Sequence, residues 1–134
     1  MTTLPKILVV DDERFLRVSL TDYLEDCGFP VQAAASAEEG LEQLERDSAD
    51  LCIVDMRLPG MNGNEFILRA HARDPRIRFI IFTGSVDYCL PETLRKLGLT
   101  LDNILFKPLT DMAELLNKIT AILQHEPDFP TPPR

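Results

Sequence analysis

The sequence predicts an α/β protein built on a five-stranded parallel sheet. Short apolar runs recur along the chain, and most of them are continuous rather than alternating with polar residues, as expected of strands buried on both faces. Segments with apolar residues every three or four positions lie between these runs and predict helices. Strands that alternate with helices favour a parallel sheet covered on both faces. The 134 residues suit a single domain with a hydrophobic core of its own.

Four of the five predicted strands are strongly apolar in sequence, and one is less so. The strong runs are Ile7–Val10, Leu51–Val54, Phe79–Phe82 and Ile104–Phe106. Val31–Ala34 is less apolar and is predicted to be a short edge strand. Right-handed crossovers leave few topologies, and we expect the flavodoxin-like order 2-1-3-4-5. In such a sheet the functional residues lie at the carboxyl ends of the strands, near the switch between strands 1 and 3.

Five helices are predicted, and the first two have clear end signals. The first helix has apolar residues at helical spacing and a glycine stop after them: Leu16, Leu20, Leu24, Cys27 and Gly28. The second opens on a capping box formed by Ser36 and Glu39, with Leu41 and Leu44 facing inward. Both patterns favour helices that pack one face on the sheet.

The other three helices are predicted with less uniform signals. The third covers Asn64–Arg73 and ends before Pro75. The fourth is expected to be short, Pro91–Leu97, with Pro91 in its first turn and Gly98 after it. The last helix has a continuous apolar stripe: Met112, Leu115, Leu116, Ile119, Ile122 and Leu123.

The amino-acid composition limits the cellular compartment and the classes of partner that we expect for this chain. The net charge of −8 opposes contact with phosphate backbones, so no direct nucleic-acid partner is expected. No apolar run reaches the ~20 residues of a membrane span, and the first residues lack signal-peptide features, so we expect a cytoplasmic chain with no membrane partner. Three scattered cysteines show no metal-ligand spacing. Residues 1–124 are predicted to form the domain, and 125–134 a proline-rich tail or a linker to an absent domain.

Polar residues stand at the predicted carboxyl ends of four strands, and the fold should bring them together. They are Asp11, Asp12 and Glu13, then Asp55, then Thr83 and Gly84, and finally Lys107 and Pro108. Clustered carboxylates repel one another unless a cation is present, and their hard oxygens suit Mg²⁺ or Mn²⁺. One carboxylate could attack a phosphoryl donor while the metal and a lysine neutralise charge. A threonine hydroxyl could donate to a phosphoryl oxygen, and Gly84 would leave room beside it.

Four segments resemble the receiver domain of bacterial two-component response regulators. They are Lys6–Glu13, Asp55–Gly63, Phe82–Gly84 and Phe106–Pro108. Each is a weak signal by itself, but all four occur in the right order and each lies at a strand end. The resemblance extends over residues 5–124, which is nearly all of the predicted folded part.

The resemblance implies a phosphoacceptor and a magnesium site. Asp55 would accept the phosphoryl group. Asp12 and Asp55 would bind Mg²⁺ (or Mn²⁺) through their carboxylates, Asp11 mainly through water, and Arg57 through its backbone carbonyl. An alternative is that Asp11, Asp12 and Glu13 only favour a helix N-terminus, but that interpretation leaves Asp55 and Lys107 unexplained.

The resemblance also assigns residues that respond to phosphorylation or shape the site. Lys107 would pair with the phosphoryl group, and Thr83 would turn towards it. Pro108 matches the position where the family has a cis peptide bond, whose isomer the sequence does not establish. Pro59 and Gly63 belong to a loop that needs proline and glycine geometry, a structural role compatible with function.

The sequence departs from the family at Ile104. Many receivers carry Tyr or Phe three residues before the lysine, and that aromatic side chain changes rotamer when the hydroxyl moves. Ile104 cannot act in this way. Phe106 lies on the same strand face but is not regarded as a replacement. The route by which the signal leaves the site is therefore expected to be atypical.

These observations together predict a phosphorylation-dependent switch rather than an enzyme, with at most self-phosphorylation and slow autodephosphorylation. A sensor histidine kinase or a histidine phosphotransfer protein would be the donor. The surface of the fourth helix, fifth strand and fifth helix would then bind an unknown downstream protein or a second copy in a homodimer. Alternatives are an interaction module without phosphorylation, favoured by Ile104, and an aspartyl phosphatase, for which Arg57 stands where a second acid is needed. A flavin-binding domain is disfavoured by the acidic loop after strand 1.

Overall fold

A single parallel sheet forms the centre of the computed structural model, which describes residues 4–124. Its strands are β1 (Ile7–Val10), β2 (Val31–Ala34), β3 (Leu51–Asp55), β4 (Arg78–Thr83) and β5 (Ile104–Phe106). They lie in the order β2-β1-β3-β4-β5, and each neighbouring pair is parallel. The predicted fold class and strand order are confirmed. β3 and β4 extend one residue further than predicted at their carboxyl ends, so Asp55 and Thr83 belong to the sheet itself.

In the described part of the chain, four α-helices connect the strands and a fifth follows β5, so the predicted number of helices is confirmed. They are α1 (Arg14–Asp26), α2 (Ala37–Arg46), α3 (Gly63–Arg73), α4 (Glu92–Arg95) and α5 (Ala113–Gln124). A short 3₁₀ helix, Leu101–Asn103, precedes β5. Within residues 4–124, none of the helices has the length and apolar character to cross a membrane. The predicted proline-rich tail, 125–134, lies outside the described residues.

Alternate residues of the strands supply two separate cores, one on each face of the sheet. One core holds Leu8, Val10, Cys52, Val54 and Ile81 with the buried residues of α2, α3 and α4. The other holds Ile7, Val9, Ile53, Ile80 and Phe82 with those of α1 and α5. Because both faces are covered, the strands are largely apolar, which is the pattern that predicted them.

The second and third helices begin at side-chain caps. The Ser36 hydroxyl accepts a hydrogen bond from the Glu39 N–H at 3.1 Å, and the Asn62 side chain accepts one from the Glu65 N–H at 2.9 Å. The predicted capping box at α2 is therefore only half formed. The Glu39 carboxylate accepts from Gln43 at 3.3 Å, on the next turn, instead of reaching back to the Ser36 backbone.

The region before β5 differs most from the prediction. α4 spans Glu92–Arg95 rather than Pro91–Leu97, and Pro91 is its N-cap with an extended backbone instead of a residue of the first turn. Gly98 then takes a positive φ of 100°, which a glycine adopts without strain. A second capped turn at Leu101–Asn103 follows, which the sequence analysis did not predict.

Candidate functional site

The strand register brings the predicted site residues to one edge of the sheet. Val10 pairs with Val54, so Asp11 and Asp55 emerge side by side from adjacent strands. Thr83 pairs with Phe106, and the Lys107 N–H donates to the Thr83 carbonyl at 2.8 Å. These residues are up to 96 positions apart along the chain and meet because parallel strands end at the same edge of the sheet.

Three carboxylates form a compact group at this edge. Asp11, Asp12 and Asp55 each offer an oxygen, and these oxygens lie within 4.8 Å of one another. Asp11 and Asp55 are buried, whereas Asp12 is exposed at the mouth of the site. Three negative charges this close need more than one ammonium group to balance them, and hard oxygen ligands suit a divalent cation such as Mg²⁺. The side chains present therefore fit the predicted metal.

One lysine bridges the two buried acids. Lys107 Nζ lies 3.1 Å from Asp11 Oδ2 and 3.5 Å from Asp55 Oδ2. Its ammonium group also stands 5.2 Å from the centre of the Phe82 ring, in the range of a cation–π contact. Only 17% of the lysine side chain is exposed, so its charge acts inside the site rather than in bulk solvent.

Some neighbours of Asp55 raise the pKa of its carboxyl group, and others lower it. Burial raises the pKa of its carboxyl above the ordinary value, and the charges of Asp11 and Asp12 add to the rise. A hydrogen bond from the Arg57 N–H to Oδ1, at 3.1 Å, and the charge of Lys107 lower the same pKa. The net effect is a raised pKa. A cation beside the carboxylates would relieve the repulsion that contributes to this shift.

Thr83 is the last residue of β4, and Gly84 follows it next to the lysine. Thr83 is buried, and its Oγ1 accepts a hydrogen bond from the Ser85 N–H at 3.2 Å. Gly84 is exposed, and a Cβ at this position would meet only the Lys107 Cβ at 3.9 Å, an ordinary contact. Ile104, the first residue of β5 and three positions before Lys107, is 6% exposed and belongs to the core on the α3 face.

The loop between β3 and α3 depends on two glycines. A Cβ on Gly63 would lie 2.5 Å from the Asp55 carbonyl oxygen and 2.9 Å from Met56 Cα, so only glycine allows α3 to begin this close to the end of β3. Gly60 has a positive φ of 72° and follows the exposed Pro59. The predicted structural role of Gly63 agrees with this geometry, while the role of Pro59 and any part of either residue in switching stay predictions.

Some predicted residues lie beside the site without entering the carboxylate group. Pro108 is exposed, and the Lys107–Pro108 peptide bond is cis, the isomer found at the matching family position. Arg57 is exposed, and its N–H donates to Asp55 as described above, while the metal contact of its carbonyl stays a prediction. Phe106 is 43% exposed and packs in neither core, consistent with its not replacing the missing aromatic residue.

Two supporting contacts were missed by the sequence analysis. Asp11 Oδ1 accepts a hydrogen bond from the Glu13 N–H at 2.9 Å, and the Arg17 guanidinium donates to the Asp11 carbonyl at 2.8 Å. An aspartate side chain readily accepts a hydrogen bond from the backbone N–H two residues further on, a local pattern that could have indicated the first contact. Arg17 lies one helical turn after Glu13, a spacing that directs it back towards the strand end.

Residues 7–120 match the sequence profile of the response regulator receiver domain. The chain belongs to this family. Receiver domains are signalling domains, and the match assigns this one to phosphorylation-dependent two-component signalling. In two-component systems, receivers interact with histidine kinases or phosphotransfer proteins.

Individual relatives agree with this assignment. The receiver is 32% identical over 93 residues to sporulation initiation phosphotransferase F of Bacillus subtilis, covering 69% of this chain and 75% of that protein. It is 39% identical over 87 residues to the C4-dicarboxylate transport transcriptional regulatory protein DctD of Rhizobium meliloti. This match covers 65% of this chain but only 19% of DctD. A receiver domain protein from Methanospirillum hungatei superposes with a TM-score of 0.76 at 31% identity, over 91% of this chain and 95% of that one.

Proposed function

We propose that this receiver accepts a phosphoryl group on Asp55, with Mg²⁺ held by Asp12 and Asp55 directly, by Asp11 through water and by the Arg57 carbonyl. The observation that carries the proposal is the buried Asp55 carboxylate, which lies within 4.8 Å of two other acids and 3.5 Å from the Lys107 ammonium. A nucleophile next to a lysine and a potential metal site is what phosphoryl transfer requires.

The donor would be the phosphohistidine of a sensor kinase or of a phosphotransfer protein. One carboxylate oxygen of Asp55 forms a bond to phosphorus, and the bond between phosphorus and the imidazole nitrogen breaks. Bound Mg²⁺ would supply neutralisation of the charge on the transferred group. Lys107 would exchange its pairing with the free carboxylates for one with the phosphoryl oxygens, and Thr83 would donate its hydroxyl to them.

The response would pass to the surface of α4, β5 and α5 and change the binding of a downstream protein or of a second copy. The exposed Phe106 offers an apolar contact on that surface. Residues 1–124 would make up the complete switch, and 125–134 would serve as a tail or linker. Three free thiols, at Cys27, Cys52 and Cys89, favour a reducing compartment and hence the cytoplasm.

Acetyl phosphate tests the assignment directly. The wild-type chain should become phosphorylated in the presence of Mg²⁺ but not after Mg²⁺ is removed with a chelator. Asp55→Asn should gain no phosphoryl group under either condition. Asp102→Asn is a matched control, because Asp102 is an exposed aspartate in the 3₁₀ helix, away from the carboxylate group. Intact-mass spectrometry reads out each sample. A wild-type chain that stays unmodified at saturating acetyl phosphate and Mg²⁺ would favour the interaction-module alternative.

A further inference from the structure

Hydrogen bonds in the segment between β4 and α4 connect the Thr83 hydroxyl to residues close to Asp55. Thr83 Oγ1 accepts a hydrogen bond from the Ser85 N–H at 3.2 Å. Three residues further on, the Tyr88 N–H donates to the Ser85 carbonyl, also at 3.2 Å. The backbone of Tyr88 is therefore tied to a turn whose first residue is held by the threonine.

The side chain of Tyr88 reaches back across this turn to β3 and α3. Its hydroxyl lies 3.6 Å from Met56 Sδ and 3.5 Å from Asn64 Oδ1. Met56 directly follows Asp55, and Asn64 is in the first turn of α3. The ring is half-buried against the core that contains Ile104, and burial raises the pKa of the Tyr88 hydroxyl. Both polar contacts are long, so they are weak enough to break when the segment shifts.

We propose that Tyr88 is the aromatic residue that responds to Thr83 in this receiver, in the place of the aromatic side chain missing at position 104. The inference rests on the proposed function of Asp55 and deepens it. Rotation of the Thr83 side chain towards a phosphoryl group would break its bond with the Ser85 N–H. The Ser85–Tyr88 turn would then be free to move, and the Tyr88 ring would leave Met56 and Asn64.

The arrangement meets the physical requirement for coupling. A coupling residue must have two arrangements whose balance is changed by the site. Tyr88 is held at one end by a turn that depends on Thr83 and at the other by weak contacts next to Asp55. Ile104 is buried and aliphatic, so it offers neither a polar contact nor room for a large rotamer change.

Tyrosine fluorescence can follow this movement, because the chain has two tyrosines and no tryptophan. Tyr23 is half-buried in the core on the opposite face of the sheet. Tyr23→Phe therefore leaves Tyr88 as the single tyrosine. The probe is beryllofluoride with Mg²⁺, a mimic of the phosphoryl group, and its binding is measured independently by ¹⁹F NMR. Each variant is compared at a concentration that saturates its ¹⁹F signal.

We expect saturation with beryllofluoride to change the intensity of the Tyr88 emission in Tyr23→Phe. The change should be lost when Thr83→Ala is added and kept when Thr83→Ser is added, because serine retains the hydroxyl. Bound beryllofluoride without a change in Tyr88 emission, or an equal change in Thr83→Ala, would overturn the inference and leave the proposed function standing. No bound ¹⁹F signal at all would overturn both.

The Tyr88 hydroxyl can be tested by its removal. In Tyr88→Phe the contacts with Met56 and Asn64 are lost while the ring remains, so the arrangement they hold becomes less favoured. Beryllofluoride should then half-saturate the protein at a concentration about two- to fivefold lower than in wild type, as expected for the loss of weak hydrogen bonds. Tyr23→Phe is the matched control and should bind as wild type does. Equal affinities for Tyr88→Phe and wild type would show that the hydroxyl takes no part and would overturn the inference.

Discussion

The carboxylate group and the segment that leads away from it are built very differently. Asp11 and Asp55 lie at the ends of β1 and β3, which pair with strands on both sides and are buried throughout. Residues 84–106, by contrast, contain an α-helix of four residues and a strand of three. The same segment exposes Val86 to 80% and Leu101 to 75%.

The two regions suit different tasks. Charged groups that must hold a metal and a phosphoryl group need fixed positions, which central strands provide. A surface that must change on phosphorylation needs low local stability, and short elements with few buried residues provide that. The following predictions test how far a substitution in one region alters stability and Mg²⁺ binding in the other.

The largest loss of stability is expected from Lys107→Met, because Lys107 lies at the centre of the site. Removing the ammonium leaves Asp11 and Asp55 buried without their partner, so the free energy of unfolding should fall by about 3 kcal/mol. Added Mg²⁺ should reduce this loss, because a cation replaces part of the missing charge. Urea unfolding with and without Mg²⁺ measures both effects. Lys96→Met is the control, since Lys96 is exposed and forms no ion pair among residues 4–124. A loss that Mg²⁺ does not change would argue against a metal at this position.

A pair of glycine substitutions compares the two strand ends directly. Gly63→Ala should cost about 2 kcal/mol, because the new Cβ would lie 2.5 Å from the Asp55 carbonyl oxygen and something must shift. It should also weaken Mg²⁺ binding. Gly84→Ala should stay within about 0.5 kcal/mol of wild type, since its Cβ meets only an ordinary contact at 3.9 Å. Thermal unfolding and a Mg²⁺ titration on both variants measure the contrast. Equal costs would mean that β4 is as tightly constrained as β3.

A smaller effect is expected from Asn103→Ala, outside the site. Asn103 donates to the Phe79 carbonyl at 2.8 Å and accepts from the Thr100 N–H at 2.9 Å, which fixes the 3₁₀ helix to β4. Its loss should lower the free energy of unfolding by about 1–2 kcal/mol. Mg²⁺ affinity should not change if the two regions are independent. The exposed Asn117 supplies the control Asn117→Ala. Weaker Mg²⁺ binding in Asn103→Ala alone would show that the region before β5 also shapes the site.

The smallest expected effect is a change in the pH dependence of stability when Asp55 is replaced. The folded pKa of Asp55 is raised, so the stability that this group contributes is present below its unfolded pKa and is lost as pH rises through the folded pKa. Asp55→Asn removes this loss and should be more stable than wild type at about pH 7, with the difference shrinking towards about pH 4. Melting temperatures at both pH values, without Mg²⁺, measure the trend. A difference that grows on acidification would mean that charge pairing, and not burial, dominates at Asp55.

The sequence by itself determined the fold and which residues lie together at the edge of the sheet. Continuous apolar runs such as Ile7–Val10 are informative because a strand covered on both faces is apolar along most of its length. Right-handed connections left few strand orders, of which the flavodoxin-like one is common at this size. Once the strands were assigned, Asp11, Asp55, Thr83 and Lys107 had to lie at one edge of the sheet. That rule places residues at an edge without giving their distances.

Only the tertiary structure decided how the side chains engage one another. The length of α4 depended on packing around Leu94 and on a second capped turn, and short helices carry too few residues for periodicity to fix their ends. The bridge from Lys107 to both buried acids and the contact between Tyr88 and Met56 join residues far apart in sequence. Such contacts depend on rotamers and on the register of neighbouring strands, and neither leaves a local pattern in the chain.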